Sequence, residues 1–193
     1  DVPPLAATVR VVVPYAPRQI FRPFHDRAQR FAAMVCHRRA GKTVAAVNDL
    51  VKAAMLCKRP NPRFAYLAPF FRQAKMTAWD YVRRYCVAIP GVTFNEAELR
   101  ADLPNGGQVR LYGADNYDAL RGIYLDGAVL DEYADMDPRA WGEVIRPALA
   151  DQGNRCHGDR RRGRVAGNSA SGRATNPAPV RRISGMPGSP SES

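Results

Sequence analysis

Three consecutive residues, Gly41, Lys42 and Thr43, form the part of this sequence best suited to binding phosphate. They close the stretch VCHRRAGKT and match the end of the phosphate-loop pattern G-x-x-x-x-G-K-[ST], although Cys36 stands where the first glycine is expected. In such a loop the lysine contacts the β- and γ-phosphates of a nucleotide and the threonine hydroxyl binds Mg²⁺. The alternative is a glycine-containing turn between a strand and a helix, with a lysine on its surface.

Two carboxylates follow an apolar stretch about 90 residues further along the chain. The segment GAVLDE, residues 127–132, ends in Asp131 and Glu132. Charges at the end of a buried strand need a cation or an ordered water as a partner. The pattern therefore favours Asp131 as a second Mg²⁺ ligand and Glu132 as the base that polarises an attacking water. An acidic turn that caps a helix is the alternative, but the order and separation of the two motifs favour the catalytic interpretation.

Short apolar runs alternate with amphipathic stretches over most of the chain, which is typical of an α/β fold with a mostly parallel central sheet flanked by helices. The apolar runs predict strands at 31–36, 63–68 and 127–132, and the amphipathic stretches predict helices at 42–57, 71–86 and 138–149. Alternation on both sides of PNGG predicts a β-hairpin within 98–114. The phosphate-loop motif lies between the first strand and the first helix, the context in which helix N-terminal N–H groups bind phosphate.

The composition changes sharply near Gln152. Residues 152–193 contain eight basic and two acidic side chains, and 17 of these 42 positions are Gly, Pro or Ser. Such a segment buries too little apolar surface to offset the entropy of ordering it, so the sequence predicts a disordered tail. On this prediction no strand follows the acidic strand. The tail is either a frameshifted segment or a natural basic arm that binds DNA electrostatically.

Several protein classes are disfavoured by the composition. The four cysteines contain no C-x-x-C pair, which argues against a zinc site and a disulfide framework. No apolar run approaches the roughly 20 residues of a transmembrane helix, and the N-terminal stretch lacks the pattern of a signal peptide. We therefore expect a cytoplasmic protein that does not bind membranes.

Three stretches together resemble the ATPase domain of the large terminase subunit of tailed bacteriophages. They are PYAPRQIFRPFHDRAQRFAAMVCHRRAGKT, YLAPFFRQAKMTAWDYV and LPNGGQVRLYGADNYDALRGIYLDGAVLDEYADMDPRAWGEVIRPALAD, and the resemblance extends from residue 14 to about residue 151. It implies a P-loop ATPase that uses ATP and Mg²⁺ to drive double-stranded DNA into a capsid. It also implies a homo-oligomeric ring in the bacterial host cell, with the small terminase subunit and the portal protein as partners.

The resemblance further implies roles for several arginines. The family often has an arginine-rich phosphate loop, so Cys36 does not exclude the motif, and Arg38 and Arg39 are expected to contact ATP, with Arg38 near the γ-phosphate. Arg121 matches an arginine that reaches the ATP of a neighbouring subunit, where it would neutralise charge in the transition state. The alternative for Arg121 is a structural ion pair with Asp118 or Asp126.

Adenine recognition is expected in the segment FRPFHDRAQ. Related motors place an adenine-reading glutamine in this region. His25 occupies the corresponding position and Gln29 follows four residues later, so both are candidate ATP-binding residues.

The chain is thus divided into a lead segment (1–13), a P-loop ATPase domain (14–151) and the basic tail (152–193). The tail holds only Asp159 and Glu192 as acids, too few for the two-metal nuclease site of the family, so no nuclease activity is expected. The sequence therefore predicts a truncated terminase ATPase domain. Two alternatives are a helicase-type DNA translocase and a basic DNA-binding remnant that no longer hydrolyses ATP.

Overall fold

The computed structural model describes residues 12–37, 39–150 and 164–168. These residues form an α/β fold around one sheet, in agreement with the predicted fold class. In chain order the strands of this sheet are β1 (Phe31–Met34), β2 (Arg63–Ala68), β3 (Thr93–Asn95), β4 (Arg100–Asp102), β5 (Gln108–Gly113), β6 (Gly127–Leu130) and β7 (Arg164–Asn168).

The helices lie close to the predicted positions. They are α1 (Arg22–His25), α2 (Lys42–Leu56), α3 (Phe71–Ala74), α4 (Asp80–Cys86) and α5 (Arg146–Ala150). A π-helical turn, Lys75–Trp79, joins α3 to α4, and a second one, Ala140–Ile145, leads into α5. The predicted helices 71–86 and 138–149 therefore exist, but each contains a wider turn that the periodicity did not indicate.

Parallel pairing dominates the sheet, whose strand order is β1-β7-β6-β2-β5-β4-β3. The first five strands in this order run parallel to their neighbours. Their carboxyl ends consequently lie at one edge of the sheet, and we call this the carboxyl edge. The predicted hairpin is confirmed, because β4 and β5 pair antiparallel, and β3 extends this hairpin by one further antiparallel strand.

Strand β7 corrects the sequence analysis. The tail was expected to be disordered and the sheet to lack a strand after the acidic strand, yet β7 pairs parallel with both β1 and β6. Composition misled here because a short strand with a neighbour on each side is held largely by backbone hydrogen bonds, which the residue types do not report. The rest of 152–193 lies outside the described residues, as does the lead segment up to residue 11.

The core lies on both faces of the sheet. One face packs against α2 and α4 through a large apolar cluster that includes Val47, Leu50, Tyr66 and Val82. The other face packs against the helical segment 140–150 through a cluster that includes Leu67, Leu130 and Ile145. Alternation along β2 sends Tyr66 to the α2 face and Leu67 to the opposite face, as expected for a strand buried on both sides. Within the described residues, no helix is long and apolar enough to span a membrane.

Buried charges join the elements that precede and follow the phosphate loop. Arg27 donates a hydrogen bond to Asp49 of α2 at 2.8 Å, and both side chains are buried. Nδ1 of His25 lies 3.5 Å from the same carboxylate. Asp49 thus connects the segment that begins with α1 to the middle of α2, and helps to hold the helix that carries Lys42 and Thr43 at its start.

We expect the substitution Asp49→Ala to destabilise the fold strongly, because it leaves the buried Arg27 guanidinium without its anionic partner. The loss should be about 3–5 kcal/mol of unfolding free energy. Urea denaturation followed by circular dichroism measures it. Lys52→Ala, an exposed position on the same helix, is the control and should change stability by no more than about 0.5 kcal/mol. Equal stability of the two variants would contradict a structural role for the Asp49 cluster.

Candidate nucleotide and metal site

The phosphate-loop motif lies at the carboxyl edge, between β1 and the N-terminus of α2. Gly41 is the N-cap residue of α2 and has φ 95°, a left-handed conformation that glycine adopts without strain. Lys42 Nζ donates a hydrogen bond to the carbonyl oxygen of Cys36 at 3.1 Å, so the ammonium group lies within the loop. The strand, loop and helix predicted around this motif are therefore present, and the α2 N-terminus offers N–H groups and a positive dipole end to an anion.

Arg18 is a residue at this loop that the sequence analysis missed. Its guanidinium donates a hydrogen bond to the carbonyl oxygen of Ala40 at 2.9 Å. Phe21 packs beside it, and a Cβ placed on Gly41 would lie 3.8 Å from the Phe21 ring and 3.9 Å from the Arg18 guanidinium. The segment before β1 therefore supports the loop directly. The motif pattern contains no such partner, so only the fold could identify it.

The two acidic residues follow β6 at the same edge. The N–H of Asp131 donates to the carbonyl oxygen of Leu67 at 2.8 Å, which extends the pairing of β6 with β2 by one residue. Asp131 is only 9% exposed. Glu132 is half-buried, has φ 50° and donates its N–H to Asp131 Oδ1 at 3.2 Å. The backbone turns sharply at Glu132, so the two carboxylates do not continue the alternation of the strand.

Tyr66 is the second residue at the site that the sequence analysis missed. Its side chain is fully buried, and its hydroxyl donates a hydrogen bond to Asp131 Oδ2. Burial, followed by the charge of Asp131 and the hydrogen bond to it, raises the pKa of Tyr66 well above its usual value, while hydrogen bonding with the Thr77 and Thr43 hydroxyls acts in the opposite direction. The Tyr66 hydroxyl is therefore bonded to one of the two predicted Mg²⁺ ligands, Asp131.

The donor chemistry of this cluster suits Mg²⁺. Thr43 and Asp131 offer a hydroxyl and a carboxylate oxygen, the hard ligands that Mg²⁺ prefers. Within the described residues, no group of three or more His, Cys, Asp or Glu side chains could hold a metal ion by itself.

The candidates for adenine recognition lie on the segment before β1. His25 is buried, and its Nε2 lies 2.9 Å from the Tyr15 hydroxyl while its Nδ1 faces Asp49. Burial, reinforced by the nearby Tyr85 and Asp49, raises the pKa of Tyr15 to about 12, so this phenol stays protonated at neutral pH. Gln29 is exposed. The structure thus separates the two candidates: His25 belongs to a buried network and Gln29 faces solvent.

The candidate arginines differ in their surroundings. Arg39 is exposed and has φ 63°, and Arg38 lies outside the described residues. Arg121 is exposed, and its guanidinium donates to Asp118 at 2.7 Å and to Glu143 at 2.9 Å. These two hydrogen bonds raise the pKa of Arg121. The ion pair with Asp118 that was considered from the sequence is therefore present, whereas Asp126 pairs with Arg59 at 2.6 Å instead.

Neither the available family models nor the curated proteins include a match to this sequence. Solved structures do match it. The ATPase domain of the large terminase of Thermus phage P74-26 is 24% identical, with a TM-score of 0.61, and the match covers 79% of this chain and 65% of that domain. The large terminase of a thermophilic bacteriophage, solved with ADP, is 22% identical with a TM-score of 0.52, covering 71% of this chain and 33% of that one.

The large terminase of bacteriophage HK97 is more distant in sequence, at 16% identity, and has a TM-score of 0.54. The match covers 72% of this chain and 29% of the HK97 protein. This chain therefore spans less than two thirds of the terminase structures that it matches, and about a third or less of the two longer ones. The similarity to these structures, together with the strand order and the position of the phosphate loop, leads to one conclusion about architecture: the described part of this chain has the fold of the ATPase domain of bacteriophage large terminases.

Proposed function

We propose that this chain is the ATPase domain of a phage or prophage terminase large subunit, which hydrolyses ATP to move double-stranded DNA into a capsid. The observation that carries the proposal is that the two motifs follow parallel strands to the same carboxyl edge, with Thr43 in the first turn of α2 and Asp131 directly after β6. The fold similarity to terminase ATPase domains, one of them in a terminase solved with ADP, supports it.

In the proposed reaction, each motif has a separate task. The N–H groups at the start of α2 and the Lys42 ammonium bind the phosphates of ATP. Thr43 and Asp131 would hold Mg²⁺, which would supply positive charge to the phosphates when bound. Glu132, which follows Asp131 in a left-handed backbone conformation, accepts the proton of the attacking water. Arg38 and Arg39 add positive charge at the loop, as the resemblance to terminases implies.

The partners of the proposed motor follow from the same resemblance. They are double-stranded DNA, the small terminase subunit and the portal protein, within a homo-oligomeric ring in the cytoplasm of a bacterial host. Neither candidate for adenine recognition is favoured by its position, because His25 is buried and bonded to Tyr15, and Gln29 is exposed but precedes β1 at the end opposite the phosphate loop.

The substitution Lys42→Ala should weaken ATP binding at least tenfold, about 1.4 kcal/mol, because it removes the charge that meets the β- and γ-phosphates. Titration with a fluorescent ATP analogue measures the affinity. Lys52→Ala removes the same charge from an exposed position of the same helix and should bind the nucleotide like the parent chain. Equal affinity of Lys42→Ala and the parent would remove the basis for a phosphate loop here.

The substitution Glu132→Gln should abolish ATP hydrolysis while nucleotide binding is retained. Glutamine keeps the shape of the side chain and leaves Asp131 in place, but it cannot accept a proton. Phosphate release and nucleotide titration on the same preparation separate the two effects, and Asp135→Asn, an exposed carboxylate three residues on, is the matched control. Hydrolysis by the parent that persists in Glu132→Gln would assign the base to another residue, and a parent that binds ATP without hydrolysing it would favour a non-hydrolysing remnant.

We expect Arg121 to act between subunits. The rate of ATP hydrolysis per molecule should then rise with protein concentration, and Arg121→Ala should abolish this rise, because an arginine supplied by a neighbour acts only when subunits meet. Arg139→Ala is the matched control, since Arg139 is also exposed and also paired with an aspartate, Asp137, at 2.7 Å. A rate that is independent of concentration and unchanged in Arg121→Ala would assign Arg121 a structural role alone.

A further inference from the structure

The metal site contains one buried polar contact to which neither motif assigns a role, the hydrogen bond from Tyr66 to Asp131. Tyr66 lies on β2, which pairs with β6 on one side and β5 on the other, so its backbone is held on both sides. Its side chain points to the α2 face of the sheet and is fully buried. A buried phenol needs a hydrogen-bond partner, and here that partner is the carboxylate proposed to bind Mg²⁺.

The contacts of Asp131 fix the direction of its carboxylate. Oδ2 accepts from the Tyr66 hydroxyl, and Oδ1 accepts from the Glu132 N–H at 3.2 Å. The first donor stands on a rigid central strand, and the second is the backbone of the next residue. Groups that hydrogen-bond to a metal ligand orient it and tune its affinity, and their loss typically weakens metal binding about 10–100-fold.

We propose that Tyr66 is a positioning residue that orients Asp131 for Mg²⁺. The inference rests on the proposed function, since it concerns the metal of the same site. Tyr66 acts through Asp131 and does not itself contact the metal or the nucleotide. The Tyr66 hydroxyl orients the Asp131 carboxylate. A phenyl ring without this hydroxyl should therefore preserve the fold but lower the affinity of the site for the metal.

The test compares nucleotide binding with and without the metal. ADP with a fluorescent label is titrated into the parent and into Tyr66→Phe, first in EDTA and then over a range of Mg²⁺ concentrations. We expect at least a tenfold higher Mg²⁺ requirement in Tyr66→Phe, with metal-free ADP affinity equal to that of the parent within about twofold. Electron paramagnetic resonance of Mn²⁺ in the presence of ADP gives a direct second measure of metal affinity.

Tyr112→Phe is the matched control, since it removes a tyrosine hydroxyl from the neighbouring strand β5 on the opposite face of the sheet, and it should leave the Mg²⁺ requirement unchanged. In an Asp131→Ala background, Tyr66→Phe should have no further effect on the Mg²⁺ requirement. An unchanged Mg²⁺ requirement in a folded Tyr66→Phe chain would overturn the inference and leave the proposed function standing. A parent chain that binds neither ADP nor Mn²⁺ with ADP would overturn both.

If Tyr66→Phe does not fold, 4-fluorophenylalanine at position 66 decides the matter, because it fills the space of the hydroxyl but cannot donate a hydrogen bond. It should raise the Mg²⁺ requirement at least tenfold, again without changing metal-free ADP affinity. An unchanged Mg²⁺ requirement in this chain would then overturn the inference.

Discussion

Parallel pairing of strands that are distant in the sequence is the constraint on which the candidate site depends. The phosphate loop follows β1 and the acidic pair follows β6, and both lie at the carboxyl edge because the two strands point the same way. They are not neighbours, since β7 lies between them. Two strand spacings, roughly 10 Å, therefore separate the start of the loop from Asp131, which leaves room for a nucleotide phosphate chain between them. The pairing of β7 thus sets the width of the site.

Buried polar groups make this arrangement specific. Asp49 of α2 pairs with the buried Arg27. Asp126 accepts hydrogen bonds from Arg59 and from the backbone N–H of Arg63 at the start of β2. Tyr66 donates a hydrogen bond to Asp131, directly after β6. Each contact joins elements that are far apart in the chain. Removing one partner of such a pair costs much more than the pair contributes net, because the other partner stays buried. The contact of Tyr66 with Asp131 therefore fixes the strand end that carries the proposed chemistry, and the other two fix the elements that lead to it.

The sequence predicted most of the fold and the two motifs of the site. Strand β2 and helix α2 are found within one residue of their predicted limits, because each has a strong apolar pattern and a clear boundary at Pro69 or Gly41. β7 was missed because its surroundings are rich in Gly, Ser and Arg. Arg18 and Tyr66 were missed for another reason. Arg18 is bonded to a residue 22 positions away and Tyr66 to one 65 positions away, and only folding brings these partners together. Residue types and spacing therefore identify the groups that touch a ligand more readily than those that position them.

The ion pairs of Arg121 bear on whether it can serve a neighbouring subunit. Asp118 and Glu143 hold the guanidinium at the surface, and all three side chains are about half exposed or more. Ion pairs at such positions contribute little to stability, because water and salt screen them. An approaching phosphate group could thus replace both carboxylates at little cost. The two pairs therefore do not prevent Arg121 from contacting a neighbouring subunit, so the structural and the catalytic interpretations of this residue are compatible.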